Sequence, residues 1–273
     1  MDKKEMIRLE REDIEQKRDF FVVKGNDLVR RAKYDLSLTE LKILSFLFSL
    51  VKPNDPHGTE YSFKIIDFCK VCGINFEAGI NYKMIRSTIQ GLRNKSFWIL
   101  EPNGDNRLVG WLGAAKISPS RGKVTIKFDE SIEEYVHNLF SNYTKYELLA
   151  TLPMQSRYSF RIYELLESYS FKKTQRFELE EFKKLLAAEK YERFPDFRRK
   201  VLEPAVREIN QYTDIVTSYE TETRGRKVIA LRFYILKRDR WEYANMRQKI
   251  NKDLNRQLTI FDFIPEDEGK GEA

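Results

Sequence analysis

The sequence predicts an α+β fold in which one order of elements, a helix-turn-helix followed by a β-hairpin, occurs twice. The first observation is an amphipathic helical period that leads into two β-rich runs between residues 191 and 237. The second is a similar order of elements between residues 38 and 128, without residue-level identity. The third is a hydrophobic content of 41% in 273 residues, which suffices for two domains of ordinary size. A helix-turn-helix closed by a hairpin is a winged helix, so we predict two tandem winged-helix domains.

The first winged helix is predicted in residues 20–150. Its expected elements are, in order, a short helix at 26–34 with Asn26 as its N-cap, an apolar helix that opens at 38–40 and is ended by Pro53, a strand at 61–63, a helix at 66–72 stopped by Gly73, a helix at 80–94, strands at 96–101, 107–117 and 123–128, and a linking helix at 129–140. Residues 1–19 are dominated by charges, and we expect a flexible charged arm there that is partly helical.

The second winged helix is predicted in residues 151–238. Its expected elements are a long amphipathic helix at 155–171, a strand around Phe177, a helix at 179–188, a reading helix, and strands at 213–222 and 228–237. One side of the reading helix is apolar and consists of Phe194, Phe197, Val201, Ala205, Ile209 and Tyr212. Because Pro204 removes a backbone hydrogen bond inside it, we expect a kink near 202–203 or a helix in two pieces. Residues 239–273 are expected to form an exposed charged helix and a tail.

The charge of the chain favours a polyanionic partner. The net charge is +7 and the isoelectric point is about 9.1. Residues 239–273 contain six Lys or Arg and eight Asp or Glu, so the remaining residues carry +9 and the excess lies on the predicted domains. No apolar run approaches the roughly 18 residues of a membrane span, and no apolar signal-peptide core is present. We therefore expect no membrane contact and a cytoplasmic protein.

The cysteines and histidines do not form a recognisable metal motif. Cys69 and Cys72 are spaced C-K-V-C on a short helix with apolar neighbours, so we expect core-facing thiols in a reducing compartment. Zinc normally takes four ligands, and His57 and His137 lie in other segments. No Walker sequence is present either. We therefore predict no metal, no cofactor and no catalytic residue.

The polar side of the reading helix is typical of a helix that lies in a DNA major groove. It carries Arg199, Lys200, Glu203, Arg207 and Asn210. The tight turn after it contains Gly225 and places three cations at a hairpin tip, where they suit a phosphate backbone: Arg224, Arg226 and Lys227. The helix at 80–94 repeats the pattern with Lys83, Arg86, Gln90 and Arg93. A charged helix face is most often only solvated, but the adjacent wing and the second copy of the pattern favour DNA binding.

Three segments of the chain resemble the initiator replication proteins of iteron-bearing plasmids. They are VVKGNDLVRRAKYDLSLTELKIL at 22–44, SRYSFRIYELLESY at 156–169, and FPDFRRKVLEPAVREIN at 194–210 followed by GRKV. The resemblance covers roughly residues 20–238. It implies two winged helices, no enzymatic activity, and a main reading helix whose DNA contacts are Arg198, Arg199, Lys200, Arg207 and Asn210.

The resemblance also implies how such a protein acts. Members of the family bind direct repeats in an origin, help to open adjacent A·T-rich duplex, and recruit the host initiator and helicase. The C-terminal domain dominates repeat binding, while the N-terminal domain supplies a dimer interface and further DNA contacts. Monomers act at the origin and dimers repress their own promoter. We expect Arg199 or Arg207 to bind a guanine, Asn210 to bind an adenine, and the wing cations to contact phosphates.

The tail sequence Q-L-T-I-F at 257–261 resembles the short peptide that binds the bacterial sliding clamp. A glutamine followed by apolar anchors suits insertion into a preformed pocket, and the residues concerned are Gln257, Leu258, Ile260 and Phe261. The alternative is that these apolar residues pack onto the protein's own core. The sequence leaves both interpretations open.

Two other classes of protein fit parts of the pattern. A winged-helix transcriptional repressor would use the same surfaces, but its site would be a solitary inverted repeat over a promoter and not a set of tandem direct repeats. A nicking enzyme of rolling-circle replication would need a metal-binding His-X-His pair and a nucleophilic tyrosine, whereas His57 and His137 lie far apart in the sequence. The initiator is therefore the predicted function.

Overall fold

Two winged helices share a buried interface in the computed structural model of the protein, which describes residues 3–101 and 103–256. The helices are α1 (Lys3–Arg18), α2 (Asn26–Arg30), α3 (Leu38–Ser49), α4 (Ile65–Cys72), α5 (Ala78–Asn94), α6 (Arg157–Ser168), α7 (Leu179–Leu185), α8 (Phe194–Phe197), α9 (Glu203–Tyr212) and α10 (Arg240–Arg256). The strands are β1 (Phe21–Gly25), β2 (Ala32–Lys33), β3 (Glu60–Lys64), β4 (Ser96–Leu100), β5 (Asn106–Gly110), β6 (Leu112–Ser118), β7 (Lys123–Phe128), β8 (Tyr143–Glu147), β9 (Thr174–Glu178), β10 (Ile215–Arg224) and β11 (Lys227–Lys237). None of the described helices combines the length and the apolar character that crossing a membrane requires.

Each winged helix contains a three-stranded antiparallel sheet of the same design. In the first, β3 pairs with β7 and β7 with β6, so β6 and β7 form the wing. In the second, β9 pairs with β11 and β11 with β10, so β10 and β11 form the wing. In both, the strand before the helix-turn-helix pairs with the second strand of the wing. The predicted α+β fold with two tandem winged helices is confirmed.

Helices α4 and α5 form the helix-turn-helix of the first winged helix, and α3 precedes them. Ser37 starts α3 with a capping box, because its hydroxyl accepts the Glu40 N–H at 3.2 Å and the Glu40 carboxylate accepts the Ser37 N–H at 2.7 Å. Gly73, with a φ of 66°, ends α4 as expected. Cys69 and Cys72 are buried, which confirms the core-facing thiols, and burial raises the pKa of Cys72 to about 12.

The single strand expected at 107–117 is two strands that belong to different sheets. β5 pairs with β4, while β6 pairs with β7. The chain passes from one sheet to the other at Trp111, which is buried with its ring centroid 4.3 Å from that of Phe97. Gly113 permits the passage, because a Cβ at this position would lie 2.9 Å from the carbonyl oxygen of Phe128. A local apolar pattern does not reveal that its two halves have different partners.

The prediction of a linking helix at 129–140 is wrong. Only Glu130–Tyr135 is helical, as a 3₁₀ turn that Asp129 opens by accepting the Ser131 N–H at 3.0 Å. The backbone reverses at Asn138, with a φ of 52°, and then enters β8. Strand β8 pairs with β1, and the sequence pattern indicated neither strand because the pairing joins distant segments.

The N-terminal residues form a packed helix and not the expected flexible arm. Helix α1 ends at Arg18, whose fully buried guanidinium donates to the carbonyl oxygens of Lys70 at 2.9 Å and Val71 at 2.8 Å, at the end of α4. The same group donates to the side chains of Asn251 at 3.1 Å and Asn255 at 2.7 Å in α10. The exposed charged helix expected after residue 239 is confirmed as α10, in which only Ile250 and Leu254 are buried, and the bonds from Arg18 anchor its C-terminal end. Burial lowers the pKa of Arg18 to about 10.

The reading helix of the second winged helix is continuous from α8 to α9, through a π-helical turn at Arg198–Leu202. The Glu203 N–H bonds to the carbonyl oxygen of Arg198, five residues earlier. This wider turn lies directly before Pro204, which has no N–H to donate. The backbone stays right-handed at Glu203, with a φ of −63° and a ψ of −45°. The kink or break expected near 202–203 is thus a π-bulge within one helix.

Helix α6 joins the two winged helices, because it packs against α9 on one side and against α2, α3 and β8 on the other. Its Glu164 carboxylate is fully buried and pairs with Lys24 of β1 and, at 2.9 Å, with Arg161. The Tyr146 hydroxyl of β8 donates to the same carboxylate at 2.7 Å. The boundary that the sequence places between residues 150 and 151 stays a prediction.

Candidate nucleic-acid interface

The reading helix buries one side and exposes a cationic side. The fully buried residues are Phe197, Val201, Ala205 and Ile209. The exposed cations are Arg198, Arg199, Lys200 and Arg207. The structure therefore brings four of the five residues predicted on this helix to its surface, on the side that the sequence period indicated.

Two arginines of this face are held by neighbouring carboxylates. Arg199 lies 3.2 Å from Asp196, and Arg198 lies 3.1 Å from Glu203. Exposed ion pairs of this kind contribute about 0–1 kcal/mol, so a DNA phosphate or a guanine can replace the carboxylate at small cost. Arg207 is exposed and has no ion pair among the described residues.

Lys200 has a different environment from the three arginines. It lines a cleft where the two winged helices meet, together with Asp35 and Lys95 of the first and Arg157 of α6. Its ammonium lies 5.9 Å from the centre of the Tyr191 ring. Lys200 is thus positioned at the junction and not at the centre of the helix face.

The Asn210 side chain does not face outward as expected. Its Nδ2 donates to the carbonyl oxygen of Thr217 at 2.9 Å, and its Oδ1 accepts the Thr217 N–H at 2.7 Å. These bonds tie the end of α9 to the start of the wing strand β10. Reading an adenine would require the same two amide groups. The adenine contact expected for Asn210 is therefore contradicted, and the residue positions the wing.

The tip of the second wing presents three cations to solvent. Gly225, with a φ of 60°, occupies the first position of the two-residue turn, where hairpin turns favour glycine. Arg224, Arg226 and Lys227 are exposed on either side of it, and no carboxylate of the described residues pairs with them.

Cationic side chains at the base of the same wing are paired with a carboxylate. Glu222 lies 2.6 Å from Arg176 and 2.7 Å from Arg232, and its hydrogen bonds to these two guanidiniums hold its pKa below the usual range. The unopposed positive charge of the wing is therefore concentrated at its tip.

The N-terminal reading helix α5 repeats this arrangement. It buries Ile85, Ile89 and Leu92 and exposes the four predicted residues Lys83, Arg86, Gln90 and Arg93. Arg86, Gln90 and Arg93 also line a groove between α5 and wing strand β6. The structure therefore brings these three polar side chains onto one concave surface.

The sequence analysis missed the cations of the first wing. Lys116, Arg121 and Lys123 are exposed on β6, the turn and β7, and no ion pair involves them among the described residues. The available signal was the tip sequence S-R-G-K at 120–123, which shares an Arg, a Gly and a Lys with the R-G-R-K of the second wing. The expected clamp-binding residues Gln257, Leu258, Ile260 and Phe261 lie outside the described residues.

Comparisons with known proteins agree with this geometry. The family described as "Initiator Replication protein, WH1" matches residues 21–167, and "Initiator Rep protein, WH2" matches residues 178–235. The chain is 33% identical to the "PI protein" of Escherichia coli over 150 residues, which are 47% of this chain and 48% of that protein. It is 28% identical to a "Replication initiation protein" of Escherichia coli over 228 residues, which are 80% of this chain and 70% of that protein. The chain thus spans about half the length of the first of these relatives.

Proposed function

The chain belongs to the initiator replication protein family, and on that premise we propose that it starts plasmid replication by binding direct repeats in an origin. The observation that carries the proposal is the doubled arrangement of a cationic reading helix beside a cationic wing tip. Two such units in one chain suit a long site with successive major-groove contacts. No catalytic step is part of the proposal, since binding energy alone can distort and open a duplex.

Each contact class has a separate role in the proposed complex. Arg199 and Arg207 extend from the reading helix, and a guanidinium can bind O6 and N7 of a guanine with two hydrogen bonds. Arg226 and the other tip cations contact phosphates, which position the protein without reading sequence. Residues Arg86, Gln90 and Arg93 of α5 contact a second groove. The second winged helix supplies most of the sequence preference.

A second copy of the chain is the proposed partner for one exposed apolar surface. Trp98, Leu100 and Leu108 project from one face of β4 and β5 with 54%, 47% and 51% of their surface exposed. Trp98 and Leu108 are direct neighbours across the two strands, so they form one continuous patch. Exposed apolar patches of this kind commonly mark protein contacts. We propose that this face forms the dimer in which the protein represses its own promoter, whereas the monomer acts at the origin.

Origin opening and recruitment of the host initiator and helicase complete the proposed function. Bending of the duplex by two reading helices would lower the cost of melting an adjacent A·T-rich stretch. The relative named as a replication initiation protein supports a role in starting replication. The tail peptide remains a prediction for a contact with the sliding clamp.

Binding titrations on the DNA that flanks the gene test the proposal. A labelled duplex with the tandem direct repeats should bind at least about 10³-fold more tightly than a scrambled duplex of the same length and composition. The protein, supplied in trans, should also support replication of a plasmid that carries only the repeats and the A·T-rich stretch. Equal affinity for both duplexes would refute sequence-specific binding. Tight binding without replication, at a solitary inverted repeat, would identify a repressor instead.

A further inference from the structure

Two histidines that are distant in the sequence meet a buried glutamate beside the first winged helix. His57 belongs to the loop between α3 and β3, while Glu133 and His137 follow β7. The His57 Nδ1 lies 3.5 Å from Glu133 Oε2, and the two imidazole centres are 5.6 Å apart. One donor atom from each of the three side chains lies within 4.8 Å of the other two.

His137 has a buried ring nitrogen that no protein group satisfies. The residue is 2% exposed, and its Nε2 lies 2.9 Å from the Tyr61 hydroxyl. That hydroxyl donates its proton to Asp55 Oδ2 at 2.9 Å, so Nε2 carries the hydrogen and donates to the tyrosine oxygen. The Nδ1 is then a bare acceptor, and no hydrogen-bond partner for it exists among the described residues. A buried nitrogen lone pair of this kind can bind a metal ion.

The Glu133 carboxylate is also oriented by a neighbouring group. It is 3% exposed, and its Oε1 accepts the Gly58 N–H at 2.7 Å. The other oxygen, Oε2, faces His57. Metal-binding side chains are typically held in this way, with one atom bound to a second layer of the protein and the other left for the ion.

We propose that His57, Glu133 and His137 bind a divalent transition-metal ion of the zinc type. Two imidazole nitrogens and one carboxylate oxygen favour zinc or cobalt over magnesium and calcium, which prefer oxygen alone. Tetrahedral bonds of about 2.0–2.1 Å separate neighbouring ligand atoms by roughly 3.3 Å, and the 3.5 Å between His57 and Glu133 is close to that spacing. His57 is exposed, so an ion can enter from solvent and keep water at its fourth position.

The ion would connect two segments that are distant in the sequence. The loop before β3 supplies His57 and the Gly58 N–H, and the segment after β7 supplies Glu133 and His137. Strands β3 and β7 pair with each other, so the site closes one end of the first wing sheet. The expected effect is a metal-dependent stabilisation of the first winged helix. None of the proposed DNA contacts is used.

Cobalt and zinc titrations of the full-length, tag-free protein test the site. Wild type should bind one equivalent of Co²⁺ with a visible ligand-field spectrum that Zn²⁺ displaces, and Zn²⁺ should raise the Tm. His57→Ala changes a side chain that is 57% exposed, so it should fold as wild type does and lose at least tenfold in Co²⁺ affinity. Tyr61→Phe should weaken binding roughly 10–100-fold, because it removes the group that orients His137.

The thiols provide the matched control, since cysteine is the other zinc ligand in the chain. Cys72→Ala should bind Co²⁺ as wild type does, and no thiolate-to-cobalt charge-transfer band should appear. The proposal fails if wild type takes up no Co²⁺ or Zn²⁺ at millimolar concentration. It also fails if His57→Ala binds as tightly as wild type, or if binding is lost in Cys72→Ala. DNA binding by His57→Ala, measured in parallel, separates this site from the proposed initiator function.

Discussion

Lys24 of β1 and Glu164 of α6 form a buried ion pair between the first strand of the fold and the helix that packs against α9. Their side chains are 4% and 0% exposed, and Arg161 and Tyr146 complete the network around the carboxylate. Burial alone would make both charges costly, so each one depends on its partner. The network therefore holds α6, which packs against α9 of the second winged helix, in one placement relative to β1.

The first prediction concerns this network. Glu164→Gln should lower the free energy of unfolding by about 3–5 kcal/mol, because it leaves Lys24 and Arg161 as buried cations without a carboxylate. Urea unfolding followed by circular dichroism measures the change. Glu181→Gln is the control, since Glu181 forms only exposed pairs, with Lys33 at 3.4 Å and with Lys184 at 2.7 Å, and its loss should cost less than about 1 kcal/mol. A similarly small cost for Glu164→Gln would contradict the buried charge network.

The second prediction separates base reading from phosphate contact. Arg207→Ala should cost about 1–3 kcal/mol on the tandem-repeat duplex and little on random DNA, because a guanine contact exists only at the cognate site. Arg226→Ala should weaken both duplexes equally and reduce the slope of log K against log salt by about one. Titrations at four or more salt concentrations measure both effects. Equal losses on the two duplexes for Arg207→Ala would remove its proposed role.

The third prediction follows from the bonds between Asn210 and Thr217. Asn210→Ala should destabilise the protein by about 1–3 kcal/mol, because the buried Thr217 N–H and carbonyl lose their partners. It should weaken cognate and random DNA alike, since the wing loses its fixed angle while no base contact is removed. Chemical denaturation and the two titrations measure these effects. Asn210→Ala could instead weaken binding to the cognate duplex and leave binding to a duplex with one A·T pair replaced unchanged. That result would restore the adenine contact as the role of Asn210.

The sequence predicted those parts of the candidate nucleic-acid interface that depend on the spacing of residues within one helix or hairpin. The reading helices, the cationic wing tip at Gly225 and the order of elements all follow from spacings within one segment. The role of Asn210 depends on where β10 passes relative to α9, and the buried carboxylate of Glu164 depends on strand β1, which comes from the other end of the chain. The meeting of His57 with His137 has the same cause. Contacts of this kind depend on the tertiary fold and produce no recognisable spacing pattern in the sequence.

The fourth prediction concerns pH. Burial, with the nearby charge of Asp214, raises the pKa of Glu167 to about 7, although Lys237 lies 2.6 Å from the carboxylate. The folded state therefore binds a proton that the unfolded chain releases above about pH 4.5. The proton on Glu167 therefore contributes a stabilisation that is fully present below pH 4.5 and is lost as the pH rises through 7. Its size is on the order of 3 kcal/mol.

Glu167→Gln should remove that dependence. The variant should gain stability relative to wild type as the pH is raised from 4.5 to 8, because an amide has no ionised form to desolvate. Unfolding at several pH values measures the difference. Glu189→Gln changes an exposed residue of the second winged helix. Its free energy of unfolding should follow that of wild type at all pH values. A parallel curve for Glu167→Gln as well would show that Lys237 keeps the carboxylate ionised throughout.

The fifth prediction concerns the apolar face of β4 and β5. Trp98→Glu should shift the protein from dimer to monomer in sedimentation velocity, because it places a charge at the centre of a patch that a second copy would bury. The variant should still bind a single repeat, since no proposed DNA contact lies on this face. Trp241→Glu is the matched control, because Trp241 is 76% exposed on α10 and belongs to a different surface. If wild type is monomeric at all concentrations, or if both tryptophan variants shift the equilibrium equally, the dimer does not form through Trp98 and Leu108.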